Sequence, residues 1–346
     1  MICVLIYDET YEGLSSFLIE NNYKNYRVNQ IWRWLYQNKV RNFNDMSNLP
    51  KDLILLLEEK YHFKALELVL KNQSADGTLK CLYALKDGHL IETVLMNHHY
   101  GLSVCVTTQV GCNIGCSFCA SGIKKKERNL TAGELIAQVI ETEKLYSERI
   151  SHIVVMGIGE PFDNYKNLLQ FLNVVNDQKG MAIGARHITV STSGLVPKII
   201  DFADLNTQVN LAISLHAPNN EVRTSLMKIN MAYPIEKVID AIKYYIDKTN
   251  RRVTIEYILI NNVNDQVEHA IELAYLLKGL NVYVNLIPYN EVKEAPYVRS
   301  SKSNQLKFYD TLKKLKINTT LRKEQGHDIN AACGQLRSSH EKEANL

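Results

Sequence analysis

Residues 102–119 read LSVCVTTQVGCNIGCSFC. Strict alternation sets Val104 and Val106 against Ser103, Cys105 and Thr107, a period of two that predicts a β-strand with one apolar and one polar face. The strand runs into a glycine-bearing loop with Cys112, Cys116 and Cys119 in the spacing C-x3-C-x2-C. Seven cysteines in 346 residues make three in one loop a concentration that packing does not require. Two chemistries compete for such a set. A tetrahedral zinc site takes four ligands, usually as paired C-x2-C knuckles. An iron–sulfur cluster held by three cysteines leaves one iron open to another ligand.

The chain on either side alternates strand and helix. TAGELIAQVIETEKLYSE is a helix, with Thr131 and Glu134 in capping-box spacing; ISHIVVMG is a strand and YKNLLQFLNVVNDQ a helix. ARHITVSTS and QVNLAISLH are strands joined by a short helical crossover. PIEKVIDAIKYYIDKT, RVTIEYILI, QVEHAIELAYLLKG and VYVNLIPYN then follow as helix, strand, helix, strand. Six βα units imply an α/β fold on a parallel sheet, rolled into a partial barrel or laid open, with ligands at the carboxyl ends of its strands. Upstream, Val28, Ile31, Trp32 and Leu35 form one helical stripe, and residues 1–76 read as a small helical module. Residues 77–100 alternate around the turn KDGH and predict a β-hairpin linker. Residues 101–335 make the core domain, and 336–346 a polar tail.

Hydrophobic content of 46% and charged content of 22% describe an ordinary globular chain, with no apolar run of membrane-spanning length. The opening MICVLIYDETYEG lacks a basic leader, so no signal peptide is expected. An odd, scattered cysteine set argues for a reducing compartment, the cytoplasm, over a secreted disulfide framework. A net charge of +3 permits a nucleic-acid partner without demanding one.

The predicted strand ends carry polar or glycine-rich segments: GIGEP with Gly159 and Glu160, STSG with Ser191, SLHAPN with Ser214, Leu215 and His216, and PYN with Asn290. Singly, each is ordinary turn chemistry. Together they would face one cavity beside the cysteine loop.

The C-x3-C-x2-C spacing after a first barrel strand, with Phe118 before the last cysteine, resembles the radical S-adenosylmethionine (SAM) superfamily. The resemblance implies a partial (β/α)6 TIM-like barrel with a [4Fe-4S] cluster on Cys112, Cys116 and Cys119. SAM would chelate the fourth iron, and its reductive cleavage would give a 5′-deoxyadenosyl radical. Glu160 looks like the carboxylate that receives the SAM amino group. More narrowly, VVMGIGEP, RHITVSTSG, LAISLHAPN, VNLIPYN and GHDINAACGQLR, in this order, resemble the RlmN family of RNA adenine-C2 methyltransferases. Cfr-type relatives, which methylate C8, carry Ala where this chain has Pro161.

The resemblance implies methylation of adenosine 2503 of 23S rRNA, before full ribosome assembly, and of adenosine 37 of tRNA, with two SAM consumed per turnover. Cys333 would take a methyl group as S-methylcysteine, Cys105 would resolve the RNA adduct through a transient disulfide, and Glu92 would accept the C2 proton. Gly159, Glu160, Ser191, Ser214, Leu215, His216 and Asn290 match SAM contacts. An external electron donor such as flavodoxin is implied, and no membrane. Asn330 stands where the family usually has Asp, one charge fewer close to Cys333. Lys124, Lys125 and Lys126, with the aromatic and basic N-terminal residues Lys24, Tyr26, Arg27, Arg33, Trp34 and Tyr36, are candidate RNA contacts, whereas Trp32 reads as core. The competing readings are a non-catalytic zinc-bearing RNA-binding protein and a radical enzyme acting on a small metabolite. The latter leaves the N-terminal module and AACGQL without a role.

Overall fold

The structure is a computed structural model and describes residues 4–323, 325–329 and 331. Strands β1 (Val4–Leu5) and β2 (Tyr61–His62) pair in parallel and bracket helices α1 (Tyr11–Glu20), α2 (Tyr26–Tyr36) and α3 (Lys51–Lys60). The stripe Val28, Ile31, Trp32 and Leu35 is buried, and the Trp32 indole donates to Asp177 across the boundary with the core domain. The helical reading of residues 1–76 runs too far. Residues Leu66–Gln73 form strand β3, antiparallel to β4 (Leu79–Leu85). Leu, Glu and Lys favour helix intrinsically, but pairing along a whole neighbouring strand overrides that preference. The hairpin expected over 77–100 is present as β4 and β5 (Leu90–His98), yet it is no linker: β3, β4 and β5 extend the central sheet.

The core domain continues with β6 (Gly101–Cys105), the short pair β7 (Gln109–Val110) and β8 (Arg128–Asn129), α4 (Ala132–Tyr146), β9 (Ile150–Val155), α5 (Tyr165–Asn176) and β10 (Ile188–Thr192). Then come α6 (Val196–Asp204), β11 (Asn210–Ser214), α7 (Asn220–Leu226), α8 (Ile235–Thr249), β12 (Val253–Leu259), α9 (Val267–Leu276) and β13 (Val282–Pro288), followed by α10 (Lys302–Lys314) and β14 (Thr319–Leu321). The sheet order is β14-β13-β12-β11-β10-β9-β6-β5-β4-β3, parallel from β14 to β6. The six expected parallel strands are there, and β14 adds one more. It was missed because three residues carry no period, and α7 because Arg223 occupies its buried face.

The sheet curls. Seven inter-strand steps of about 4.8 Å would hold β14 and β5 more than 30 Å apart in a flat sheet. Instead Arg322, next to β14, places a guanidinium nitrogen 3.9 Å from the Met96 sulfur on β5. One face of the curl is apolar: Ile153, Val190, Leu211, Ile213, Ile255 and Val284 are completely buried in the main core. Each such side chain contributes about 1.5–3 kcal/mol. Alternate residues turn inward, and these include Cys105, Ser191, Ser214 and Glu256.

Helix α4 is fixed at its start by the predicted capping box of Thr131 and Glu134. Asp8 of the N-terminal module also accepts from the Gly133 amide at 2.7 Å. A Cβ on Gly133 would come within 2.8 Å of Asp8, so only glycine admits this contact. Among the described residues, no helix is long and apolar enough to cross a membrane.

Gln138 of α4 ties helix to sheet. It accepts from the Thr93 hydroxyl and the Thr107 amide, both at 2.9 Å, and donates to the Thr107 carbonyl at 2.9 Å. Thr107 in turn supports the loop after β9, accepting from the Ile158 amide at 3.2 Å. Gln138→Leu keeps the volume but strands three buried polar groups, and should cost roughly 2–4 kcal/mol in denaturant unfolding. A midpoint within error of the parent would refute this role.

Candidate active site

The cysteine loop is held by its own backbone and by its return limb. Cys112 donates its amide to the Lys124 carbonyl at 3.0 Å, and Cys119 donates to the Cys116 carbonyl at 3.2 Å. Gly111 has φ +75°, and a Cβ there would lie 2.2 Å from the Lys125 carbonyl oxygen. The run IKKKER is therefore part of the loop's scaffold. Lys124 pairs with Glu127 at 2.7 Å and Lys126 with Asp163 at 2.6 Å. Of these three candidate RNA contacts, Lys124 and Lys126 are held by carboxylates and Lys125 is the exposed one.

Cys112, Cys116 and Cys119 rim one cavity of about 170 Å³. Burial pushes the Cys112 thiol up to about 12 and raises that of Cys116 as well, while amide donors from Ile114 and Gly115 act in the opposite direction on Cys112. Thiols in this state become ligands only when a metal displaces their protons. Backbone N–H groups aimed at a ligand sulfur suit an iron–sulfur cluster. Among the described residues, no group of three His, Cys, Asp or Glu side chains is arranged to hold a single ion; the thiols surround a space instead.

The opposite wall comes from the strand ends. Gly159 has φ +104° and lies so close to Gln109 that a Cβ would meet it at 2.6 Å. Glu160 follows, 3% exposed, with one carboxylate oxygen accepting from the Phe162 amide at 3.0 Å and the other from the Ser193 amide at 2.8 Å. Burial raises its pKa against those bonds, which sets a buried carboxylate ready for a cationic partner. The Ser191 and Ser214 hydroxyls lie 3.3 Å apart. His216 adopts φ +58°, accepts the Ile258 amide at Nδ1 (3.1 Å), and meets Phe118 edge-on at 5.1 Å. With Nδ1 engaged, the neutral ring carries its proton on Nε2. His216 is thus both a satisfied buried histidine and a cavity wall.

Gly159, Glu160, Ser191, Ser214 and His216 line the cavity with the three cysteines; Leu215 and Asn290 do not. The Leu215 side chain belongs to the main core, because alternation turns it away from its neighbours' face, and its amide continues the ladder to β12 by donating to the Glu256 carbonyl at 3.1 Å. Asn290 is buried beyond the end of β13.

Cys105 and Glu92 lie on the same inner surface, beyond the cavity. Cys105 packs with Val94, Met96, Ile158 and Ala331. Glu92 is buried and forms an ion pair with Lys80 at 2.8 Å, so it is no solvated strand acid. Cys333 and Asn330 lie outside the described residues. The segment leading to them is clipped down: Asp76 accepts from the Gly326 amide at 2.9 Å, and Asp328 accepts from the Ser74 hydroxyl at 2.6 Å. Partial burial opposes ionisation of Asp76, but the Gly326 and Thr78 amides and nearby hydroxyls hold it at about 2.

Sequence reasoning missed Arg223, Glu256 and Arg322. Arg223 is fully buried and donates to the carbonyls of Ser193 (2.6 Å), Leu215 (3.2 Å) and Tyr233 (3.2 Å) and to Asn230 (2.9 Å). It locks two strand ends together from behind the cavity, and nothing in NEVRTSL signals that. Glu256 carries a stronger signal, a lone acid in the apolar strand VTIEYIL. It lines the cavity with Arg322 and accepts from Asn285 at 2.8 Å; burial raises its pKa, and Arg322 and Asn285 lower it.

Residues 106–274 match the family model described as the Radical SAM superfamily, and residues 5–62 match the Ribosomal RNA large subunit methyltransferase N-terminal domain. The chain is 67% identical over 337 residues to the "Probable dual-specificity RNA methyltransferase RlmN" of Acholeplasma laidlawii, covering 97% of this chain and all of that one. It is 59% identical over 345 residues to the protein of the same description from Enterococcus faecalis, covering 97% of each. A crystal structure of a radical SAM methyltransferase from Sphaerobacter thermophilus superposes with a TM-score of 0.93 at 44% identity, over 96% of this chain and 99% of that one.

Burial, and secondarily the charge of Arg223, holds His216 at about 3, below its ordinary 6.5. Between those values the unfolded chain binds a proton that the folded chain refuses, so stability is lost as pH falls from about 6.5 toward 3. His216→Asn suits the left-handed backbone and keeps an acceptor near Nδ1. Between pH 7 and pH 5 it should lose less unfolding free energy than the parent. Equal losses would show that the imidazole does not titrate this way.

Proposed function

Because the chain belongs to the RlmN family of radical SAM RNA methyltransferases, we propose that it methylates C2 of an RNA adenosine through two cysteines of its own, Cys333 and Cys105. The targets are adenosine 2503 of 23S rRNA, before full ribosome assembly, and adenosine 37 of tRNA, in the cytoplasm. The observation that carries the reading is the burial of Ala331, two residues before Cys333, in the same apolar cluster as Cys105. Cys333 follows Ala331 by two residues, a chain length of at most about 7 Å, and the proposed pairing of its thiol with Cys105 draws its support from that short tether.

Cys112, Cys116 and Cys119 would hold a [4Fe-4S] cluster, and Glu160, Ser191, Ser214 and His216 would hold SAM beside it. When bound, this pair supplies a one-electron cleavage able to remove hydrogen from an unactivated C–H bond. The chain's own residues do the rest. Cys333 accepts a methyl group on sulfur from one SAM, and a second SAM serves the hydrogen removal. The activated carbon bonds to C2, and the adduct passes one electron back to the one-electron carrier that supplied the cleavage and the C2 proton to Glu92. The Cys105 thiolate then attacks the Cys333 sulfur. The C–S bond breaks, its electron pair stays on carbon, and that carbon takes a proton to become the methyl group. The resulting disulfide needs two electrons from a thiol reductant before the next turnover, and the one-electron steps need a donor such as flavodoxin. Glu92 suits its role because Lys80 holds it as an ion pair on the inner face. The helices up to Lys60 form an RNA-binding appendage.

Mass mapping of methylated adenosine, after anaerobic incubation with SAM, reductant and 23S rRNA or tRNA, tests the whole reading. Methyl at C2 supports it; methyl at C8, or none, overturns it. Cys116→Ala should purify without stoichiometric iron and form no 5′-deoxyadenosine, and full iron content would remove the cysteine loop from the site.

Cys105→Ala should accumulate a covalent complex between Cys333 and RNA on denaturing gels, whereas Cys333→Ala and the double variant should give none. Normal turnover by the Cys105 variant, or a shifted band from the double variant, would refute the two assignments.

A further inference from the structure

The inner surface that carries Cys105 has a second end. On β5 the face that begins with Glu92, Val94 and Met96 continues to His98. On β6, Cys105 pairs with Val154 and Ser103 with His152, one strand step nearer the amino ends. There the rings form a continuous row. His98 stacks on Tyr100 at 4.6 Å and 12°; Tyr100 meets His152 at 4.9 Å; His152 stacks on His187 at 4.3 Å and 8°. Tyr100 is 54% exposed, and His187 is also exposed. Burial lowers the pKa of His98 and His152, with Arg322 and neighbouring histidines adding to the effect. His98 and His152 are thus held toward the neutral form. Arg322 joins the row to the cavity: it lines that cavity, contacts Met96, and its charge is felt at both His98 and Tyr100.

We propose that this row is a stacking platform for the unpaired RNA bases that flank the target adenosine. The inference rests on the RNA methyltransferase activity of the family. An adenine that enters an interior cavity must leave its stack, and its neighbours lose a stacking partner when it does. Aromatic rings beyond Arg322, at the amino end of the inner surface, replace that partner, and single-stranded RNA is recognised largely in this way. A phosphate site would present cations, whereas burial biases His98 and His152 against protonation.

The test is a fluorescence-anisotropy titration of the full-length, anaerobically reconstituted protein with a labelled RNA hairpin that carries the target adenosine in an unpaired loop. Tyr100→Ala should bind roughly tenfold more weakly, Tyr100→Trp should retain affinity, and the salt dependence should stay as in the parent. Replacing the two nucleotides beside the target with abasic ones should weaken the parent by a similar factor and erase the difference between parent and Tyr100→Ala. The loss in the parent is measured on the unaltered protein and does not depend on how the variant folds. Unchanged affinity of Tyr100→Ala, or a loss accompanied by a shallower salt slope, would overturn the platform while leaving the methylation reading intact. A parent protein that binds no RNA would overturn both.

Discussion

Successive side chains of a β-strand face opposite ways, and in this molecule that constraint separates the chemistry from the core. One set of residues on the parallel strands builds an apolar layer under the helices: Ile153, Val190, Ile213, Ile255 and Val284 are completely buried. Their neighbours, among them Cys105, Ser191, Ser214 and Glu256, turn into the curl. A shift of register by one residue on any strand would exchange the two sets, putting thiols and carboxylates under the helices. The apolar layer thus protects the placement of every inward group, including those that touch nothing in the core.

Holding charge inside such a curl is costly unless each group is hydrogen-bonded. Glu160 is offset by two backbone amides, and Arg223 by three carbonyls and an amide oxygen. Arg223 remains a cation although burial lowers it to about 10, with Cys116 opposing that shift. Its donors fasten the ends of β10 and β11, the two strands that carry Ser191 and Ser214. Rigidity at the site therefore comes largely from behind it.

The sequence made the repeating parts legible. Periods of two and of 3.6 predict the six parallel strands and most of the covering helices, and the strand-end rule gathers Glu160, Ser191, Ser214 and His216 beside the cysteines. What escaped had no period. Leu66–Gln73 looked helical because its composition is, and only its partner strand makes it β. Arg223 and Arg322 are single residues whose meaning depends on elements distant in sequence. Lys124 and Lys126 looked free because their partners, Glu127 and Asp163, are settled by the return path of the loop. Leu215 matched a motif as part of a triplet, but alternation sends its side chain away from the cavity.

The clip at residues 325–331 joins the last described part of the chain to the turn between β3 and β4. Its hydrogen bonds span 250 positions from Asp76 to Gly326 and 254 from Ser74 to Asp328. Contacts of such separation pay loop-closure entropy before they return any stability, so they form late. The wall beside Cys105 is therefore among the last parts of the fold to close, and the pocket is complete only once the turn after β3 and the segment after β14 have met.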